Sequence, residues 1–332
     1  MSNQILGVNS NLLLGVTSGN KVNFTGVASG AEAIEEAWTQ DSSDVAGGRG
    51  ITASQPGRFL DLQFTHGCRS NALLDPVMRA AFGGRLYGTW ASQGGASGSP
   101  SNVFDAVAEP TLTFGYESDV VSWANTLYVD GNPTIEPLAE TVTRPTEATP
   151  SYLTSQCDFY FGDTSNVVNL KGALRGDVVL ASTTNLVRDR ANLTDGVDNM
   201  TADGIGVGFT INATLVLTTE TRVLQSLTQG VFVVHRRDAE YAYAVPCWIQ
   251  ARPLSAPAEA VVTIAVTFNQ APNGGPVGGV PVTDGTLTVG DGEEGYVVTT
   301  SGIVRAAAGD TTIAADGVGV KGAPILGEAN GR

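Results

Sequence analysis

Ile211-Asn-Ala-Thr-Leu-Val-Leu217 alternates apolar and polar side chains, and Val231-Phe-Val-Val-His235 follows after a short interval. Between them, Thr218 or Thr219 opens a run that sets Val223, Leu224 and Leu227 on one helical face and stops at Gly230. A period of two marks a strand buried on one side, apolar residues three and four apart mark a helix, and glycine ends it. The stretch predicts strand, short helix, Gly, strand.

The same order occurs about 150 residues earlier. Arg58-Phe-Leu-Asp-Leu-Gln-Phe64 alternates, and Leu74, Val77, Met78 and Ala81 recur at helical spacing before Gly83-Gly84. Arg85-Leu-Tyr-Gly-Thr-Trp90 then resumes as a strand. Ser70 or Asn71 is the expected cap, and Pro76 fits only in the first turn. Two such units predict an internal duplication, with Thr143-Arg-Pro-Thr-Glu-Ala-Thr-Pro150 as the linker.

Further strands are expected at 111–116 and 261–268. Val231–His235 and Tyr241–Val245 flank Arg236-Arg-Asp-Ala-Glu240, which predicts a hairpin with a charged tip. Ala31-Glu-Ala-Ile-Glu-Glu-Ala-Trp38 reads as a third helix. Asn273-Gly-Gly-Pro-Val-Gly-Gly279 reads as a flexible hinge before a Gly-rich tail with β-prone pieces at 286–289 and 296–300. The expected fold is mainly β. Two barrel or sandwich domains (1–145 and 146–275) each carry a short flanking helix, and a small Gly-rich β module spans 276–332.

Composition narrows the function. The 332 residues leave room for about two domains. Asp and Glu number 33 against 18 Lys and Arg, a net charge of −15. A chain that grips nucleic acid needs cations to displace counterions from phosphates, and this one is poor in them. No apolar run approaches the ~20 residues of a spanning helix, so no membrane association is expected. Met1–Val8 has no basic segment, so no secretory signal is expected. Cys68, Cys157 and Cys247 lie far apart with no paired spacing, which predicts buried reduced thiols.

Chemistry is sparse. His66 and His235 are the two histidines, and His66 with Cys68 makes only two possible metal ligands. No serine elbow occurs, and Gly94–Pro100 reads as a loop. Gly204-Ile-Gly-Val-Gly208 precedes a strand instead of a helix, so it reads as a bulged strand and not a phosphate loop. Asp195, Asp198, Asn199 and Asp203, like Asp291, Glu293 and Glu294, read as solvated turns in preference to calcium sites. No catalytic residue, cofactor or metal is expected. A low-charge, Gly- and Thr-rich β chain reads as an assembly subunit.

Gly208–Gly230, continuing through Val245-Pro246 and Val261–Phe268, resembles the C-terminal half of the tail tube proteins of long, non-contractile-tailed bacteriophages. That half has a strand, a short helix ending in Gly, a hairpin, a strand with a Pro, and a closing strand. Glu35 to Leu74-Asp-Pro-Val-Met-Arg-Ala-Ala-Phe-Gly83 is similar to the first half of the same family. The resemblance spans roughly residues 30–90 and 205–270, with 91–204 fitting loosely and the tail after 275 outside it.

The resemblance implies a virion subunit made in the bacterial host cytoplasm. Rings, either hexameric or pseudo-hexameric trimers of two-domain chains, would stack into a tube. Genomic DNA would pass through without specific binding on its way into the host. The terminator, tape measure and distal tail proteins would be partners, and the C-terminal module would decorate the exterior. Leu74, Val77, Met78, Ala81, Val223, Leu224 and Leu227 would pack the helices on each domain. Arg236, Arg237 and Asp238 would make subunit or ring contacts, where charge reversal should weaken polymerisation without unfolding the monomer. The acidic balance fits a lumen that repels DNA.

Two other readings stand beside it. One is another virion part, such as a decoration or minor head or tail protein. The other is a carbohydrate-binding β-sandwich using Trp90, Trp123 and Tyr128. An enzyme is disfavoured by the scarcity of histidine and of any activated nucleophile.

Overall fold

The computed structural model describes residues 11–23, 33–37, 42–45, 48–51, 59–67, 77, 81–82, 85–91, 96–139, 141, 153–192, 198–237, 242–258, 261–271, 277–291, 293–307 and 309–322. The first part holds β1 (Asn11–Thr17), β2 (Asn20–Asn23), β3 (Ala33–Ala37), β4 (Ser42–Val45), β5 (Gly48–Ile51) and β6 (Phe59–Gly67). β7 (Arg85–Ala91) and the long β8 (Pro100–Phe114) and β9 (Val121–Pro137) complete it. The middle part holds β10 (Cys157–Gly162), β11 (Val167–Asn169), β12 (Val178–Asn192), β13 (Asp198–Val216), β14 (Gln229–Arg236), β15 (Ala242–Ala251), β16 (Leu254–Ser255) and β17 (Thr263–Gln270). The last part holds β18 (Val277–Val289), β19 (Glu294–Val298), β20 (Ile303–Ala306) and β21 (Gly309–Gly322). The mainly-β expectation holds.

Long strands knit the chain by changing partners along their length. One edge of β8 pairs with β7 at residues 102–107 and with β12 at 111–114, while β9 follows the other edge throughout. In the same way β15 pairs with β14 on one edge and with β18 and then β17 on the other. Pro246 sits at that change of partner. It has no N–H to donate, so it occupies the point where the ladder is interrupted anyway.

Alternation fills one core. Phe159, Phe161, Phe232 and Phe268 are fully buried. The rings of Phe161 and Phe268 lie 4.6 Å apart, and those of Phe232 and Phe268 5.2 Å apart. Phe114 of β8 meets Phe159 of β10 edge-on at 5.1 Å. A single apolar cluster runs from Leu12 through Trp123 to Phe268, and β8 pairs with β12 across the expected 145/146 boundary.

The segment after β13 is a 3₁₀ turn at Thr221–Gln225, shorter than the helix expected from its spacing. Thr218 and Thr221 bind reciprocally: Thr221 N donates to Thr218 Oγ1 (3.1 Å), and Thr218 N to Thr221 Oγ1 (2.8 Å). Two threonines closing one turn on each other favour a tight start over a full helix. Leu224 and Leu227 are buried and Val223 packs against the same core. Arg252 Nη1 accepts no role in the sequence reading but donates to the carbonyls of Leu224 (3.1 Å) and Leu227 (2.6 Å), satisfying the end of the turn. Gly230 lies within β14, where an added Cβ would stand 2.3 Å from the Gly162 carbonyl oxygen. Its role is close strand approach, not a helix stop.

In the first unit, Val77 and Ala81 are helical and buried. Leu74 and Met78 lie outside the described residues. The third helix is overturned: Ala33–Ala37 is a strand paired antiparallel with β6 from Ala33↔Gln63 to Ala37↔Phe59. A waiting sheet edge outweighs the helix preference of Ala and Glu. The hinge is corrected in part. Val277–Gly279 pairs with Ala242–Ala244 of β15, so these residues are ladder members.

The C-terminal strands form a small module with its own core of Leu287, Val289, Val297, Ala306 and Ile313. A second cluster joins it to the outer face of β14 and β15, bringing Tyr296, Val298, Ile303 and Val318 against Val233, Ala242 and Ala244. Ile303 N donates to the Asp163 carbonyl (2.7 Å). Gly279 and Gly322 let the backbones cross closely there, since a Cβ on Gly279 would fall 1.6 Å from the Lys321 carbonyl oxygen.

Phe268→Ala removes the ring shared by both aromatic contacts. We expect a loss of about 3–5 kcal/mol in urea unfolding, against under ~1 kcal/mol for Val261→Ala, whose side chain is exposed.

Candidate assembly interface

The end of the β14–β15 hairpin was the expected contact site, and β14 and β15 do pair antiparallel, from Gln229↔Trp248 to His235↔Ala242. Arg236 closes β14 and is 3% exposed, placing its charge inside the protein. Asp238 lies outside the described residues. Arg237 is exposed along its stem, but its guanidinium is committed within the chain. Its Nε donates to Asp158 Oδ2 (2.9 Å) and its Nη2 to Asp158 Oδ1 (3.0 Å).

Asp158 comes from β10, beside β14, in register with His235. Lys171 Nζ stands 3.6 Å from Asp158 Oδ1 and also donates to the Ser155 carbonyl. Ser155 in turn donates through N and Oγ to the Asp119 carboxylate (2.6 and 2.7 Å). Asp158, Lys171 and Arg237 border a cleft of about 600 Å³ that Thr219 and Glu220 also line. Two cations balanced by Asp158 and Glu220 make it nearly neutral. Charge reversal at Arg236 or Arg237 therefore acts on the monomer's own packing, contrary to the expected separation of assembly from folding. Asp158 and Lys171 escaped the sequence reading because nothing in their spacing reveals that β10 lies beside β14.

His235 is 4% exposed, and neither ring nitrogen has a hydrogen-bond partner among the described residues. It stands in a strand flanked on both sides, by β10 and β15, so it is interior. Its face is shared with Val233, the side covered by the C-terminal module. Burial lowers its pKa, with Asp158 opposing and Arg237 reinforcing the shift. For Asp158, burial pulls upward, but the Arg237 hydrogen bonds and the Lys171 charge outweigh it and hold the carboxyl below its ordinary value.

The remaining candidates resolve as follows. Gly206 is the unpaired residue of a bulge, since Thr184 faces Val207 and Asn185 faces Ile205. Asp198, Asn199 and Asp203 are members of the β12–β13 ladder. Glu293 accepts from Gly290 N (2.8 Å) and pairs with Lys321 (3.2 Å), and Glu294 pairs with Arg305 (2.7 Å). Cys157 and Cys247 are buried thiols in no disulfide, and burial pushes the Cys247 thiol up. Trp123 is 0% exposed and Tyr128 donates to Glu109 Oε2 (3.1 Å). Trp123 therefore offers no surface for a sugar ring. His66 lies within β6, and Cys68 lies outside the described residues.

One part of the sheet has open edges. β12 pairs with β8 only at 178–181, and β13 pairs with β17 only at 210–216. Beyond these points, β12 and β13 pair only with each other among the described residues, out to Asn192↔Asp198. At ~3.3 Å per residue this two-stranded arm is about 35 Å long, and no further strand pairs with its outer edges among the described residues.

No protein-family model matches this sequence, and no curated protein matches it. Among solved structures, a chain of the "tail of empty GTA particle", with C6 symmetry, is 12% identical with a TM-score of 0.29. The match covers 35% of this chain and 92% of that one.

Both depressed pKa values give stability that acid removes. The unfolded chain protonates its histidine first as pH drops below about 6.5, and Asp158 loses its partnership as pH falls through its folded value, below about 3.9. Between pH 7 and pH 5, the melting temperature of His235→Phe should fall less than that of the wild type; parallel curves would reject this role. Asp158→Asn should cost about 1–2 kcal/mol at pH 7 and flatten the curve below pH 4.

Proposed function

We propose that this chain is a structural virion subunit that polymerises into the tail tube of a long-tailed phage. The observation that carries the proposal is the β12–β13 arm. A long ribbon with unpaired edges is what a chain uses to add strands to its neighbours, and a monomer that stays alone blunts such edges. The sequence resemblance supports the same reading. Its second part has the expected order of strand (β13), helical turn, hairpin (β14–β15, with Pro246) and closing strand (β17). The net charge of −15 suits a conduit in which DNA slides without adhering.

The test is negative-stain electron microscopy of the purified full chain over a concentration series. Hollow tubes or stacked rings are the expected result, and isolated globules at every concentration would overturn the proposal. A second variant excises residues 186–204 and joins Asn185 to Ile205 through an Asn-Gly turn. The excision leaves the ladders of β12 with β8 and of β13 with β17 in place, so the variant should melt within a few degrees of the wild type yet form no tubes.

A further inference from the structure

A patch on one outward face of the main sheet, bounded on β8 by Glu109, carries no charge. On β8 and β9, Thr111 opposes Ala124 and Thr113 opposes Ser122. On β12 and β13, Val179 opposes Asn212 and Ala181 opposes Thr210. On β13 and β17, Asn212 opposes Thr267, Thr214 opposes Ala265 and Thr210 opposes Asn269, which in turn opposes Trp248 of β15. These residues alternate with core side chains such as Leu112, Leu180, Ile211 and Phe268, so they share the other side of the sheet. None is Asp, Glu, Lys or Arg, in a chain with 51 of them (33 + 18).

Solvated β faces normally keep charges of both signs for solubility. A wall that merely slides past DNA needs only its cations removed. The loss of both signs is the mark of a patch covered by protein, where any charge would be desolvated. Some of the polar groups here are bonded to one another. Thr267 Oγ1 donates to Asn212 Oδ1 (2.9 Å), and Asn269 Nδ2 donates to Gln250 Oε1 (2.8 Å). Covering them therefore strands few hydrogen-bonding groups. Trp248, 41% exposed, stands at the margin as an anchor.

We infer that this face packs against a second copy of the chain, an inference that rests on the self-assembly proposed above. Two molecules of charge −15 repel each other everywhere except where the charge is missing, whereas a cationic partner would seek the acidic surface. With strands ~4.8 Å apart and same-side residues ~7 Å apart, the patch covers about 400–500 Å² per copy. That is near half of what a stable binary complex buries, so an isolated pair is weak and the contact holds only where each copy makes several.

Ala181→Glu and Ala265→Glu place a charge on the face, while Ala265→Ser and Thr267→Val keep it neutral. Sedimentation velocity across a concentration series, with microscopy and melting curves, is the measurement. The Glu variants should raise the concentration needed for assembly about tenfold or more, and the neutral variants should leave it within about twofold. A further variant, Thr267→Cys, should react with a maleimide when dissociated and be protected when assembled, relative to wild type. Glu variants that assemble like wild type, or equal reactivity of Thr267→Cys in both states, overturn the inference; tubes seen in the same experiment would leave the tail proposal standing. Wild-type assembly into compact oligomers overturns the tail proposal, and the variants still decide the face. A chain monomeric throughout overturns both.

Discussion

The aromatic seam where Phe161 and Phe232 close on Phe268 is the contact on which the sheet depends. Phe161 comes from β10, Phe232 from β14 and Phe268 from β17, so one buried cluster fixes how far the sheet must curl. Burial of rings is worth far more than any single hydrogen bond gained there. The ladder follows the rings: β10 runs beside β14, and β13 beside β17, because that path brings all three inward.

Once the curl is set, the periphery has little freedom. Asp158 and Arg237 meet because β10 and β14 are neighbours, and the buried His235 is trapped between them and the C-terminal module. The polar network at this end is a product of the packing, with each charge answered inside the chain. What stays unanswered lies elsewhere, along the arm and on the neutral face, and those are the parts that fit a life among identical copies.

Alternation made the strands at 58–64, 111–116, 211–217, 231–235, 241–245 and 261–268 legible, because a half-buried strand writes its burial into every second residue. The helical turn at 221–225 was legible in its buried Leu224 and Leu227, but not in its length, which the Thr218–Thr221 exchange decides. Ala33–Ala37 failed because helix preference is local while its partner β6 is remote in sequence. The hinge failed at Val277–Gly279 for a similar reason: glycines that look flexible are there for closeness, with Gly279 against the Lys321 backbone. At the candidate contact, the arginines were visible but their partner was not, since Asp158 lies far from them in sequence.

The C-terminal module has a consequence for synthesis. Its strands leave the ribosome after β14 and β15, yet they roof Val233, Ala242 and Ala244 on those strands. Until β18–β21 emerge, that apolar strip on a nascent chain lies bare. Chains halted before these strands therefore expose an apolar strip that chains carrying them cover.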